Sequence, residues 1–342
     1  MIKHLIGTLL LAVSLTLAAF GQATTTDDLL QKGIALYDAG NYKGALEQYA
    51  QALKLEAKNP TVNYEISLTY FALQDMPNTI RYSDVVIKSK NTSPSIKAQA
   101  LVNKGSALDI TGKSAEAITA YRKALKLDPS YQMAYYNLGL TLYNQEAYRE
   151  AQNNLIEAIQ LRPSHASSHL LLAYTMQAQH NRVQSLLAYY NFLLLEPNSE
   201  RASTAFQDMQ RMQNEGVSKS GENTIHLTVR PDQLENSPFS AADLLLSAMQ
   251  ATNISDEKKG KSEEELFYNN TASFFSILKE LKKEEQGFWW SYYVDFFHDM
   301  DAQGNTEAFC YYIGQSEAAK KWEAKHPEKI NELASWYKTY KR

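Results

Sequence analysis

The chain has 342 residues, of which 44% are hydrophobic and 21% charged, so it is long enough for two domains with separate cores. Its formal net charge of -4 argues against a nucleic-acid partner, because proteins that neutralise phosphates concentrate Lys and Arg. The single cysteine, Cys310, excludes an internal disulfide framework. We expect it to be a small buried side chain; a nucleophile is the alternative, but its sequence neighbours supply no activating base.

Residues 1–23 have the pattern of a secretory signal peptide. A short basic start precedes the apolar, uncharged run Leu5–Phe20, and small residues follow at Gly21 and Ala23. We expect cleavage after Ala23, and an exported protein of the periplasm or envelope of a Gram-negative bacterium. An uncleaved membrane anchor is the second interpretation, but the run is short for ~30 Å of hydrocarbon, so we expect no transmembrane span after cleavage.

Residues 40–58 and 112–130 repeat one pattern of Gly, Ala, Tyr, Ala-Leu and Leu at the same spacing. Farther along, Pro129, Pro163 and Pro197 recur every 34 residues. A four-residue insertion near 91–94 accounts for the longer distance between the first two copies. The pattern predicts five units in residues 24–199, each with two helices: 26–59, 60–93, 98–131, 132–165 and 166–199.

The fourth unit shows the pattern best, with these residues in order: Tyr135, Leu138, Gly139, Leu142, Tyr148, Ala151, Leu155, Ala158 and Pro163. It resembles the tetratricopeptide repeat (TPR), and the resemblance extends over roughly residues 26–199. It implies an all-α fold, in which stacked helix pairs form a superhelix with a concave face. Small residues such as Gly105 in the first helix would allow close packing, and aromatic residues such as Tyr121 would fill the gaps.

The TPR resemblance also implies where a ligand binds, because peptides usually lie along the inner faces of the first helices. The corresponding groove positions are Leu30, Ile34, Tyr37, Tyr64, Leu68, Phe71, Val102, Ser106, Asp109, Tyr136, Leu140, Tyr143, Leu170, Tyr174 and Gln177. Asp109 is the one charged residue among them, so a clamp for a terminal carboxylate is not expected. These side chains favour an apolar or aromatic peptide, unless the rest of this chain fills the groove; the two alternatives stay open.

The remainder of the chain does not repeat. Phe192 stands where a small residue is expected, which indicates that the fifth unit meets a new partner. Residues 200–215 predict a capping helix, and 216–239 a connector with one extended segment that has no evident partner strand. Residues 240–342 predict a helical, aromatic-rich C-terminal domain. Its run 288–297 is apolar nearly all round, which is typical of a buried helix.

Within this C-terminal region, two stretches resemble capping boxes that open helices. Ser240 is followed three residues later by Asp243, and Ser262 by Glu265.

Other residue combinations give weaker indications of chemistry. His165 and His169 are spaced to share a helix face, but zinc needs a third ligand and His180 is the one nearby candidate. Asp299 and the residues after it lack the final Glu of a calcium loop. We therefore expect no metal, no cofactor and no enzymatic activity.

The sequence thus predicts a non-catalytic scaffold that binds a protein or peptide. Glycan binding by C-terminal aromatics is the alternative, and it requires exposed faces on Trp289, Trp290 and Trp336. Hydrolysis is a third hypothesis, and it requires a pocket that pairs a nucleophile with a carboxylate or His.

Overall fold

The computed structural model describes residues 24–220, 224–231, 238–254 and 260–341. The predicted signal peptide lies outside this range. The chain divides into two compact units, residues 1–89 and 90–342. Over these described residues the fold is helical, as the sequence predicted, apart from one hairpin. In the described part, no helix is both long and apolar enough to cross a membrane.

The N-terminal unit contains two helix pairs: α1 (Thr26–Asp38), α2 (Tyr42–Leu55), α3 (Pro60–Ala72) and α4 (Met76–Lys88). Each helix is capped by a side chain, starting with Thr25, whose hydroxyl accepts from the Asp28 amide. Gly33 lies against the ring of Tyr49, and a Cβ on this glycine would stand 2.2 Å from Tyr49 Cε1. The small residue is therefore required by the close packing of α1 on α2.

The second unit begins with three further helix pairs: α5 (Pro94–Ile110), α6 (Ser114–Leu127), α7 (Gln132–Asn144), α8 (Tyr148–Leu161), α9 (Ala166–Ala178) and α10 (Arg182–Leu195). Each helix contacts the next along the chain. Gly105 repeats the close approach, since a Cβ there would lie 2.6 Å from Tyr121 Cε1. The predicted role of the small residues is thus confirmed.

The rest of the second unit starts with α11 (Glu200–Gln213), β1 (Val217–Ser220), β2 (Thr224–Leu227), α12 (Pro238–Ile254) and α13 (Glu263–Lys282). It continues with a π-helical segment (Trp289–Val294), α14 (Asp295–Ala302), α15 (Thr306–Ile313), α16 (Glu317–Lys325) and α17 (Pro327–Thr339). One hydrophobic core runs from the last repeat helices to Leu333, so these elements and the repeats fold around shared side chains.

Helix α10 is the centre of this core. Its residues from Arg182 to Leu194 are buried except for Gln184, whereas α8 buries one stripe. Phe192 is fully buried, so the bulky residue does mark a new contact, as predicted. The Tyr190 ring lies within 6.5 Å, centroid to centroid, of five phenylalanine rings: Phe267, Phe274, Phe275, Phe297 and Phe309.

The run 288–297 is largely buried, as its composition predicted, but Ser291 is exposed and part of the run is π-helical. Trp290, Tyr293 and Phe297 are each less than 5% exposed. Tyr293 also joins the C-terminal region to the repeats, because its hydroxyl lies 2.7 Å from His169 Nδ1. His169 Nε2 donates to the Pro163 carbonyl at 2.9 Å, so Nδ1 is left to accept from the tyrosine.

The expectation of an extended segment without a partner strand is wrong. β1 and β2 pair antiparallel, with Val217 opposite Leu227 and Ser220 opposite Thr224. The β1 sequence has one apolar residue in four, so it shows no alternation that would predict a strand. The hairpin contacts α12.

The predicted capping role of Asp243 is also wrong, whereas Ser262 does cap α13 by accepting from the Glu265 amide. Helix α12 begins at Pro238, and Asp243 instead forms a buried ion pair with Arg182 on α10. The Arg182 guanidinium also donates to the carbonyl oxygens of Glu215 and Asp243, at 2.7 and 2.8 Å, and to Ser247 Oγ at 2.7 Å. Burial lowers the pKa of Arg182, which shows how far the group is removed from water.

Replacing Arg182 with methionine tests whether this ion pair joins the two regions. The change leaves Asp243 and two carbonyl oxygens buried with fewer donors, and we expect the free energy of unfolding to fall by about 3–5 kcal/mol. Arg122→Met is the matched control, because Arg122 pairs with Glu150 in an exposed position and should cost less than ~1 kcal/mol. Urea unfolding of both variants measures the difference; equal losses would contradict the assignment.

Candidate functional site

The predicted groove residues of the N-terminal unit occupy different environments. Leu30 is 7% exposed and belongs to the core of this unit, so little of it is available to a ligand. Ile34, Leu68 and Phe71 are half-buried. Tyr37, also half-buried, packs against Tyr42 with ring centroids 5.3 Å apart. Tyr64 has an intermediate exposure as well.

Two carboxyl groups that the sequence analysis did not select, those of Asp38 and Glu65, lie near Tyr37. Burial raises the pKa of Glu65, and the nearby charge of Asp38 raises it further. Burial and the neighbouring Tyr42 raise the pKa of the Tyr37 hydroxyl, and both carboxyl groups add to this effect. In the part of the chain that the structure describes, no Lys or Arg forms an ion pair with Glu65. The site therefore carries a carboxylate that is costly to ionise.

In the second unit, half-buried tyrosines occupy the predicted groove positions of α7 and α9. Tyr136 packs edge-on against His165, with ring centroids 4.9 Å apart, and Leu140 and Tyr143 follow on α7. Tyr174 packs edge-on against Tyr189 at 5.9 Å. Val102 and Leu170 are 4% and 7% exposed and serve the core.

The polar groove positions are used to join neighbouring helices. Asp109 accepts from Ser114 Oγ at 2.7 Å and from Thr141 Oγ1 at 2.8 Å. Ser106 accepts from Asn137 Nδ2 at 3.1 Å. Gln177 accepts from the Tyr189 hydroxyl at 3.1 Å. These bonds fix the side chains, so the surface around the tyrosines is pre-formed.

Arg201 on α11 lies beside two of the groove tyrosines, and the sequence analysis missed it. Its charge interacts with Tyr136 and Tyr174. The guanidinium pairs with Glu196, donates to Ser167 Oγ at 2.9 Å and lies 5.3 Å from the centre of the Phe192 ring. The sequence around Arg201 does not indicate that this residue lies beside Tyr136 and Tyr174, because α11 matches no repeat unit.

The C-terminal region makes its main contacts with the second helix of the last repeat. α12, the π-helical segment and α15 contact α10, and α12 also contacts α11. Tyr136, Tyr143 and Tyr174 instead have ring partners from the repeats: His165, Tyr148 and Tyr189. Both alternatives for the groove, an external ligand and filling by the C-terminal region, stay predictions.

The residues considered for metal binding and catalysis have structural partners. Both ring nitrogens of His169 are hydrogen-bonded, and among the described residues no group of three His, Cys, Asp or Glu could hold a metal ion. Burial raises the pKa of the Cys310 thiol, so the thiolate is disfavoured. Ser316 donates to Glu264 at 2.8 Å, but this hydroxyl caps α16, and the bond lowers the pKa of Glu264 and makes it a weaker base.

The tryptophans that glycan binding would require are engaged with other rings. Trp290 is 4% exposed and stacks on Phe239 at 4.2 Å. Trp322 is stacked between Tyr311 and His326, at 4.1 and 4.3 Å. Trp289 and Trp336 are half-buried. This geometry disfavours a platform of coplanar, exposed indoles.

Family models match two parts of the chain. The TPR repeat model matches residues 33–74 and 105–146, and the tetratricopeptide repeat model matches residues 134–165. This chain contains tetratricopeptide repeats. The matched residues lie in α1–α3 and α5–α8, which include most of the predicted groove positions.

Individual proteins match this chain over its repeats. The probable UDP-N-acetylglucosamine–peptide N-acetylglucosaminyltransferase SPINDLY of Hordeum vulgare is 29% identical over 33% of this chain. The peroxisomal targeting signal receptor of Eremothecium gossypii is 29% identical over 34% of this chain. These matches span 12% and 20% of the two relatives' own lengths. The solved structure of the TPR protein TTC0263 of Thermus thermophilus is 18% identical, with a TM-score of 0.44, over 54% of this chain and 99% of that one.

The raised pKa of Glu65 predicts how the stability of the folded protein depends on pH. The Glu65 pKa is raised in the folded protein, so the folded state loses stability as the pH rises from the ordinary carboxyl pKa to the raised one, and the loss is complete above it. We expect Glu65→Gln to raise the thermal unfolding midpoint at pH 7. The gain should shrink as the pH falls towards ~4.3, where the unfolded chain also protonates. The exposed Glu47→Gln in α2 is the control; a gain that does not depend on pH would contradict this explanation.

Proposed function

We propose that this protein is a non-catalytic interaction scaffold that binds a protein or peptide along the inner faces of α7 and α9. The observation that carries the proposal is the row of half-buried aromatic side chains Tyr136, Tyr143 and Tyr174 on these helices. Tyrosine offers a large apolar ring and a hydroxyl at low entropic cost, which suits a contact surface. The hydrogen bonds of Asp109 and Gln177 hold the surface in place before a ligand arrives.

The chemistry of these positions favours a peptide with apolar or aromatic side chains. Asp109 is engaged by two hydroxyl donors, so the predicted groove positions of the second unit offer little charge to a ligand. One of the relatives is a peroxisomal targeting signal receptor, and its name describes a protein that recognises a targeting signal. This similarity supports peptide binding as the general role of such repeats. It does not identify the partner of this chain.

Peptide selection on the full chain tests this function. We expect a random-peptide display library to yield ligands rich in apolar residues. The variant Tyr136→Ala/Tyr143→Ala should bind them at least about tenfold more weakly, because each ring removed costs ~1 kcal/mol or more. Leu127→Ala/Leu161→Ala is the control, since both leucines are exposed, at 41% each, at the ends of second helices. Failure to enrich any peptide, or equal binding by both variants, would refute the proposal that a peptide binds along α7 and α9.

We also propose that the protein is exported to the bacterial envelope, on the basis of the apolar run Leu5–Phe20. Expressed in a Gram-negative host, the chain should be recovered from the periplasm with Thr24 as its first residue. Leu9→Arg/Leu10→Arg interrupts the apolar run and should keep the full-length chain in the cytoplasm. Edman sequencing of the fractionated protein measures both outcomes, and a periplasmic chain that still begins with Met1 would contradict cleavage.

A further inference from the structure

A cleft of about 310 Å³ lies where α11, α12 and α13 meet. Four amide side chains from two helices line it. α11 contributes Gln210, Gln213 and Asn214, whose i, i+3, i+4 spacing places them on one helix face. α12 contributes Gln250. This set belongs to none of the repeats, and neither the scaffold function nor the family match assigns it a role.

α13 forms the facing wall with four residues of its own. Glu263 and Asn270 are two turns apart, with Leu266 and Phe267 between them. The wall therefore presents a carboxylate, then an apolar surface, then a fifth amide. Phe267 is half-buried because its ring packs edge-on against Phe206 at 5.4 Å.

Two of the amides are deeply buried. Gln213 and Gln250 are 6% and 4% exposed, a degree of burial that is unusual for glutamine. Gln213 Nε2 donates to the buried hydroxyl of Tyr190 at 2.6 Å, which fixes the orientation of the side chain. The cleft thus has a rigid polar floor, connected by one hydrogen bond to the aromatic core.

The lining selects the chemical class of the ligand. An amide side chain carries both N–H donors and a carbonyl acceptor, and Glu263 adds carboxylate acceptors. Among the residues that the structure describes, no Lys or Arg lines this cleft, so an anionic ligand would find no counter-charge beside Glu263 there. Saccharides match such a lining, because their hydroxyls donate and accept while their C–H faces pack on apolar side chains. The volume is near the lower limit of ligand pockets, ~300 Å³, which suits a small sugar better than a peptide segment.

We propose that the cleft between α11, α12 and α13 binds a neutral mono- or disaccharide. Amides and one carboxylate recognise its hydroxyls, and Leu266 and Phe267 contact its apolar face. This site differs from the tryptophan platform that the sequence analysis considered, since its polar side chains come from Gln, Asn and Glu.

Isothermal titration of the full chain tests the proposal with glucose, N-acetylglucosamine and cellobiose as probes. We expect saturable binding of at least one neutral sugar with a Kd of about 1 mM, as for other small polar ligands. Gln210→Ala/Asn270→Ala removes two lining amides and should weaken it about tenfold or more. Asn153→Ala/Gln160→Ala removes the same residue types from exposed positions on α8 and should leave it unchanged.

Two further measurements make the outcome decisive. Glucuronate should bind more weakly than glucose, and Glu263→Gln should reduce that difference; Glu263 is exposed, so this variant should fold. An acetyl- and amide-blocked Gly-Ser-Gly peptide tests the competing ligand class. No saturation by any sugar up to about 20 mM, unchanged binding in the lining variant, or binding of the peptide in place of sugars would each overturn the proposal. None of these results depends on the peptide groove of α7 and α9.

Discussion

The burial of α10 on nearly all sides is the constraint on which the second unit depends. A repeat helix normally buries one stripe and leaves the other face to solvent. Here Tyr190 extends from α10 into a group of five phenylalanine rings, and its hydroxyl is satisfied by Thr271 and Gln213. The last repeat and the C-terminal helices therefore share one core, and neither could keep its apolar surface covered without the other.

This arrangement explains how a solenoid can end in a large helical region and still keep the surface that we propose for peptide binding. The C-terminal helices cover the second helix of the last repeat, and the buried Arg182–Asp243 pair fixes their position. The pair is expensive to bury, so it contributes more to a unique docking geometry than to net stability. The first helices α7 and α9 keep their half-buried tyrosines, and the polar groups between them are mutually satisfied.

Sequence reasoning succeeded where periodicity carried the information. Gly33 and Gly105 were recognised as sites of close approach because the repeat places them against Tyr49 and Tyr121. It failed where a residue acts through a distant partner. Asp243 was assigned to a helix cap from its spacing, although its partner Arg182 lies 61 residues earlier in the chain. The sequence did not indicate Glu65 or Arg201, because the electrostatic environment of a residue and its neighbours in space leave no local pattern in the sequence.

By itself, the sequence determined the repeats, their helix pairs, the need for small residues between them and the buried character of the run 288–297, because these follow from local spacing and composition. The tertiary structure alone decided that α10 is enclosed, that β1 pairs with β2, and that five amides from three helices line one cleft. It also decided the left-handed backbone at Gln74, Glu146 and His180 (φ 58°, 59° and 60°), where no glycine marks the turn. These features depend on which segments pack together in space, and packing partners far apart in a chain are not encoded in any short stretch of it.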